Sequence, residues 1–144
     1  MSASTKLSSS VKALCFLAET HPIPKTSREI AEKTGINASK LRQLLSMLAK
    51  TRIVISEQGT KGGFLLQKDP KKIHLQEIYC SIEDRKAFHL NVTQGNGSSD
   101  DSNLDFNTYF LDLFSAIQVD IEEKMRNISL ENIMNQLKIK SKFK

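Results

Sequence analysis

The chain has 144 residues, 39% hydrophobic and 26% charged, which favours one domain able to bury a core without disulfides or metal. No apolar run approaches the roughly 18 residues of a membrane span, and the segment from Met1 to Ser10 is too polar for a signal peptide. The two cysteines, Cys15 and Cys80, lie far apart, which excludes a CxxC zinc or thioredoxin-type pair and a disulfide-rich scaffold. The expected compartment is the cytoplasm, with both thiols reduced.

Helical spacing of Leu7, Val11, Leu14, Cys15 and Ala18 predicts a first helix, stopped by His21-Pro22-Ile23-Pro24. Thr26 and Glu29 form a capping-box pattern for a short second helix over about Ser27 to Lys33, with Ile30 and Ala31 inward. Gly35 suits the left-handed turn that ends it. Asn37 is a good N-cap for a third helix over about 38–51, with Leu41, Leu44, Leu45 and Leu48 as its apolar stripe.

Ile53-Val54-Ile55 predicts a strand, 57–63 a Gly-rich turn, and Phe64-Leu65-Leu66 the return strand. A fourth helix is expected over about 74–83, burying Leu75, Ile78, Tyr79 and Ile82. The Gly/Ser/Asn/Asp-rich stretch from Asn91 to Asn103 reads as a mobile loop. A long helix over about 104–127 carries Phe106, Tyr109, Phe110, Leu113, Phe114, Ile117, Ile121 and Met125, more apolar surface than one face of a monomeric helix needs. Leu130 to Leu137 is a short amphipathic turn, and the tail 138–144 is expected to fray.

Charge is distributed unevenly. Residues 1–70 carry 11 Lys/Arg against 5 Asp/Glu, and residues 71–137 carry 6 against 11. The tail adds four lysines and no acid. A basic first half on an acidic body suggests a polyanion partner for that half.

Helix, tight glycine turn, helix and Gly-tipped hairpin is the order of a winged helix-turn-helix. The leucines of the third helix face the core, which leaves Ser39, Lys40, Arg42, Gln43 and Ser46 toward a major groove or its rim. At the hairpin tip, Lys61 sits among glycines, so backbone there can approach a phosphate or minor groove closely.

Several segments match a known pattern. They are Ser4-Thr5-Lys6 with Lys12-Ala13-Leu14 and Phe16-Leu17-Ala18; Glu29-Ile30-Ala31-Glu32 with Gly35-Ile36; Leu41 with Gln43-Leu44-Leu45; and Gly59 with Lys61-Gly62-Gly63-Phe64. Ile73-His74-Leu75 with Ile78 and Ile82-Glu83, and Ile128-Ser129-Leu130, extend the match. On these residues the chain resembles the Rrf-two winged-helix transcription regulators over almost its whole length. The resemblance implies a homodimeric DNA-binding regulator whose long helices pair across the dimer.

The departures bear on mechanism. Members that hold an iron–sulfur cluster carry three cysteines in the loop before the long helix, and 91–103 has none, so no cofactor is expected. The usual wing arginine is Gln58 and the wing proline Thr60. Lys40 and Arg42 stand where an aromatic and an acid are common, so operator preference should differ. Ser8-Ser9-Ser10 replaces a basic and aromatic stretch.

Other motifs are weaker. Gly59-Thr60-Lys61-Gly62-Gly63 lacks the ending of a phosphate loop, and His21, His74 and His89 share no metal-ligand spacing and read as solvated. Asp100-Asp101 and Glu122-Glu123 read as solvated charge. Cys15 belongs to the core, whereas Cys80 falls off its helix's apolar stripe and is the one candidate thiol switch.

The expected fold is mainly α with a small β hairpin: a winged helix-turn-helix DNA-binding region over 1–72, then 73–144 with helix, loop 91–103 and dimerisation helix, all one compact domain. Candidate DNA-binding residues are Ser4, Thr5, Lys6, Ser27, Arg28, Asn37, Ser39, Lys40, Arg42, Gln43, Gln58, Thr60, Lys61 and Gly62. Candidate dimerisation residues are Phe106, Tyr109, Phe110, Leu113, Phe114, Ile117 and Ile121. Expected partners are double-stranded operator DNA, a second copy of the chain, and a small-molecule or protein effector, with no membrane. The expected function is a non-enzymatic, sequence-specific repressor. The alternative is a winged-helix protein-interaction module, which would show no salt-sensitive gel shift.

Overall fold

In the computed structural model, residues 2–83 and 101–144 are described. Helix α1 (Ala3–Thr20) begins on Ser2, whose hydroxyl accepts from the Thr5 amide. Helix α2 (Ser27–Thr34) opens on the expected capping box: the Glu29 amide donates to Thr26 Oγ1 at 3.1 Å and the Thr26 amide to Glu29 Oε1 at 3.3 Å. The Thr26 amide, then its hydroxyl, hold the Glu29 carboxyl below its usual range. Gly35 closes α2 at φ +74°, its amide donating to the Ala31 carbonyl. Helix α3 (Ala38–Lys50) follows at once, capped by Asn37.

Strands β1 (Val54–Glu57) and β2 (Gly63–Leu66) pair antiparallel, with Val54 opposite Leu66 and Glu57 opposite Gly63. Lys25 ties the hairpin to the helices: its amide donates to the Phe64 carbonyl at 3.1 Å, and the Phe64 amide returns to its carbonyl at 2.7 Å. A 3-10 turn (Pro70–Lys72) leads into α4 (Leu75–Ile82), then α5 (Asp101–Arg126) and α6 (Leu130–Gln136). The Leu75 amide donates to the Ile128 carbonyl and the Leu130 amide to the Ile73 carbonyl, joining the end of α5 to the start of α4.

The helical periods converge on one core. Leu14 and Leu17 of α1, Ile30 of α2, Leu41, Leu45 and Leu48 of α3, Ile78 of α4, and Leu130 and Met134 of α6 are fully buried, with Ile53, Leu66 and Ile73 between them. Each such side chain contributes about 1.5–3 kcal/mol by leaving water.

Four expectations are corrected. The first strand starts one residue later than expected; Ile53 packs in the core and its amide donates to Leu48 across Arg52, which takes φ +62°. The long helix includes 101–103, which composition alone places in the loop; 84–100, with His89, Asp100 and the rest of that loop, lie outside the described residues.

The tail is docked instead of frayed. Lys138 turns the chain at φ +58°, the Ile139 amide donates to Met134, and the Lys142 amide donates to the Ala18 carbonyl at the end of α1. His21, expected to be solvated, stacks on Phe143 at 4.6 Å between ring centroids, with Nδ1 buried.

Candidate nucleic-acid interface

Helix α3 presents two clean faces. Leu41, Leu44, Leu45 and Leu48 are buried, whereas Ser39, Lys40, Arg42, Gln43, Ser46 and Lys50 are exposed. At about 100° per residue, Ser39, Arg42, Gln43, Ser46 and Lys50 fall on one stripe, with Lys40 at its rim. The stripe supplies a guanidinium, an amide and an ammonium, groups able to pair with base edges and phosphates. Its orientation is fixed at the N-terminus, where Asn37 Oδ1 accepts from the Ser39 amide at 3.0 Å and the Lys40 amide at 3.2 Å. That oxygen is occupied, so only the amide nitrogen of Asn37 remains for an outside partner.

The wing is shaped by its glycines. A Cβ on Gly62 would lie 2.2 Å from the Glu57 carbonyl oxygen, and one on Gly63 would lie 2.6 Å from the Lys25 backbone. Neither position accepts a side chain, because the hairpin closes on itself at one and on Lys25 at the other. Gln58, Thr60 and Lys61 are exposed at the tip and Gly62 is half-buried. Lys61 is the tip's cation.

The N-terminal candidates divide. Ser4 and Thr5 are exposed on the first turn of α1, but Lys6 Nζ lies 3.6 Å from Glu83 beyond α4. Arg28 is exposed yet pairs through Nε with Glu32 at 3.3 Å, and Ser27 beside it is half-buried.

Two residues outside the sequence-derived set belong with it. Ser8, Ser9 and Lys12 of α1 meet Thr34 to Asn37 and Lys40 around a cleft of about 400 Å³. Lys12 and Lys40 thus flank the turn of the helix-turn-helix, at the positive end of α3. Lys50 continues the α3 stripe seven residues after Gln43. The spacing alone could have found Lys50; Lys12 is placed only by packing of α1 on α2 and α3.

A separate apolar groove of about 620 Å³ runs between α1 and the α6 end, lined by Leu7, Val11, Cys15, Phe16, Leu75 and Ile139 among others. Burial, then Glu19, push the Cys15 thiol up to about 11. Cys80 is exposed, with the Gln76 amide donating to Sγ at 3.2 Å. Partial burial, then Glu122, raise its thiol above the ordinary value, against the thiolate a redox switch requires. Among the described residues no His, Cys, Asp or Glu group is assembled as a metal site requires.

The aromatics of the long helix form a ladder: Phe110 stands 4.6 Å from Phe106, 5.4 Å from Tyr109 and 5.7 Å from Phe114, ring centre to ring centre. Phe106, Tyr109 and Leu113 are exposed; Phe110, Phe114, Ile117 and Ile121 are half-buried.

A three-helix core carrying a two-stranded wing, with a polar stripe on the second helix of the turn, defines a winged helix-turn-helix. The model of the Rrf2 family, described as an iron-dependent transcriptional regulator, matches residues 3–136, and the chain belongs to that family. The HTH-type transcriptional regulator IscR of Klebsiella pneumoniae (strain 342) is 39% identical over 67 residues, 46% of this chain and 40% of the relative. The chain therefore matches less than half the length of that relative. Among solved structures, T. potens IscR superposes with TM-score 0.68 at 25% identity, covering 95% of this chain and 88% of that one. CymR, the global cysteine regulator of B. subtilis, gives 0.67 at 21% identity, covering 94% and 98%. These relatives are transcription regulators, a class without enzymatic activity.

Proposed function

We propose that this chain is a homodimeric, sequence-specific DNA-binding repressor that works in the cytoplasm without an iron–sulfur cluster. The observation that carries this reading is the α3 stripe beside an exposed lysine at the wing tip. Ser39, Arg42, Gln43 and Lys50 stand exposed along α3, and the glycine-closed wing sets Lys61 at the tip of the hairpin. Residues 1–72 would read DNA and 73–144 would pair the copies.

The dimer is supported by α5, where Phe106 and Tyr109 are 62% and 63% exposed. Aromatic surface of that extent along one helix is what an isologous pairing removes from water. Family members that hold a cluster place three cysteines before the long helix. Here the donor set does not fit: this chain has two cysteines, one in the core with a raised pKa and one on α4. An effector, small molecule or protein, would act by changing the spacing of the two recognition helices.

The test is selection of duplexes from a random pool by the purified protein, followed by binding titrations in rising salt. A recovered consensus with two half-sites, bound with steeply falling affinity as salt rises, is expected. Failure to enrich any sequence, together with no salt-sensitive binding, would leave the protein-interaction module as the better reading. Iron and sulfide assays on anaerobically purified protein test the cluster; stoichiometric iron with visible charge-transfer bands would overturn its absence.

A further inference from the structure

The C-terminal tail is a built surface with a chemistry of its own, separate from that of the winged helix. After Lys138 reverses the chain, Ile139 and Phe143 are half-buried against the core, while Lys140, Lys142 and Lys144 are exposed between and beyond them. Ile139 and Phe143 thus anchor the segment at two points, and the residues between them, 140–142, are exposed. Two backbone bonds and a ring contact fix it: Ile139 to Met134, Lys142 to Ala18, and Phe143 against His21.

The result is a set of exposed lysines at alternate positions, Lys140, Lys142 and Lys144, close to the 3-10 turn that carries exposed Lys71 and Lys72. That turn packs on α6, and Lys71 and Lys140 line one cleft. Asp69 and Glu131 line the same cleft as Lys71 and Lys140, whereas Lys142 and Lys144 stand outside it. Among the described residues none of these lysines is in an ion pair.

The end of the row lies against the loop that leads to α2 and the wing. Phe143 rests on His21, at the start of the loop 21–26. That loop contains Lys25, which pairs with Phe64 of the wing, and ends on the cap of α2.

We propose that the docked tail, through Lys140, Lys142 and Lys144, is a second DNA contact that grips the phosphate backbone flanking the site read by α3. This rests on the DNA-binding reading above and adds to it a contact carrying no base information. Undirected attraction by a loose tail would need none of the anchoring; a pinned segment fixes the backbone from which the three lysines reach.

The experiment compares the full chain with K140Q/K142Q/K144Q, using the duplex recovered by selection and a random duplex of equal length. Fluorescence anisotropy from 50 to 200 mM salt reads the slope of log affinity against log salt, which falls by about 0.9 for each phosphate no longer neutralised. The expected result is a slope shallower by about two to three, with affinities for both duplexes reduced by the same factor and the selected sequence unchanged. Far-UV circular dichroism should be unaltered, since the three side chains are exposed.

Phe143→Ala, which keeps every charge but unpins the row, is expected to reduce the affinity by a smaller factor. An unchanged slope and affinity in the triple variant would overturn the tail contact while leaving the α3 reading intact. A wild-type chain that binds neither duplex would overturn both. A changed sequence preference in the triple variant would also overturn it, because it would make these lysines readers of bases.

Discussion

Helices α3 and α5 are both amphipathic, but among the described residues only α3 has its apolar face covered. On α3 the four leucines are covered by α1, α2 and α4, and everything left outside is polar. On α5 the C-terminal half packs on α4, where Gln118 and Met125 are buried, whereas Leu104, Phe106 and Tyr109 at the other end remain more than 60% exposed. The Tyr79 hydroxyl, hydrogen-bonded to Gln118, marks where α5 is joined to the body. A helix with its apolar face filled shows which face is for a polar ligand. A helix with apolar face to spare is where the proposed second copy would pair.

The sharpest way to break this contrast is the same truncation in both helices. Leu45→Ala should cost about 2–5 kcal/mol by thermal or denaturant unfolding, because the cavity it leaves is fully enclosed. Leu113→Ala should cost less than half as much, and in the proposed dimer its cost should depend on protein concentration. Equal, concentration-independent losses would refute the distinction.

Next in size is the assembly itself. Phe106→Glu with Tyr109→Glu should convert a dimer to a monomer by light scattering while helical content persists. A monomeric wild-type at micromolar concentration would remove the reason for the exposed ladder.

On the other helix, Arg42→Ala should cost about 1–3 kcal/mol on the selected duplex and relax its sequence preference. Lys61→Ala should weaken all duplexes alike and lower the salt slope by about one. Quantitative selection with each variant checks both, and a reversal of the two patterns would exchange the roles assigned to helix and wing.

The smallest expected effect concerns how α3 ends. Arg52 holds a left-handed conformation that glycine adopts without steric cost, so Arg52→Gly should raise stability by roughly 1 kcal/mol in denaturant melts. A decrease in stability would mean that the arginine side chain compensates for its backbone.

Much of this is legible in the residues themselves, for local reasons. The capping box at Thr26 and Glu29, the glycine turn at Gly35, the Asn37 cap and the leucine spacing of α3 are interactions within a few residues. What fails to show has equally physical causes. Helix ends without glycine, at Arg52 and Lys138, leave no compositional mark. Lys12 joins the α3 rim across a tertiary contact, and Lys6, a candidate DNA contact, is engaged by Glu83, 77 positions away.

The tail is the clearest instance. Four lysines in seven residues look like a solvated run, and composition alone favours fraying. The alternation of Ile139 and Phe143 with lysine is present in the sequence, but spaced apolar residues matter only if a surface exists to receive them.

By itself, then, the sequence determined the helix-turn-helix, its polar stripe, the glycine-tipped wing and the apolar excess of the long helix, because period and cap chemistry act over one or two turns. Only the tertiary structure decided which cations gather around the α3 rim, that Lys6 is engaged by Glu83, and that the tail is pinned on α1. Those outcomes depend on contacts between segments tens of residues apart, where folding, and no local spacing, brings the groups together.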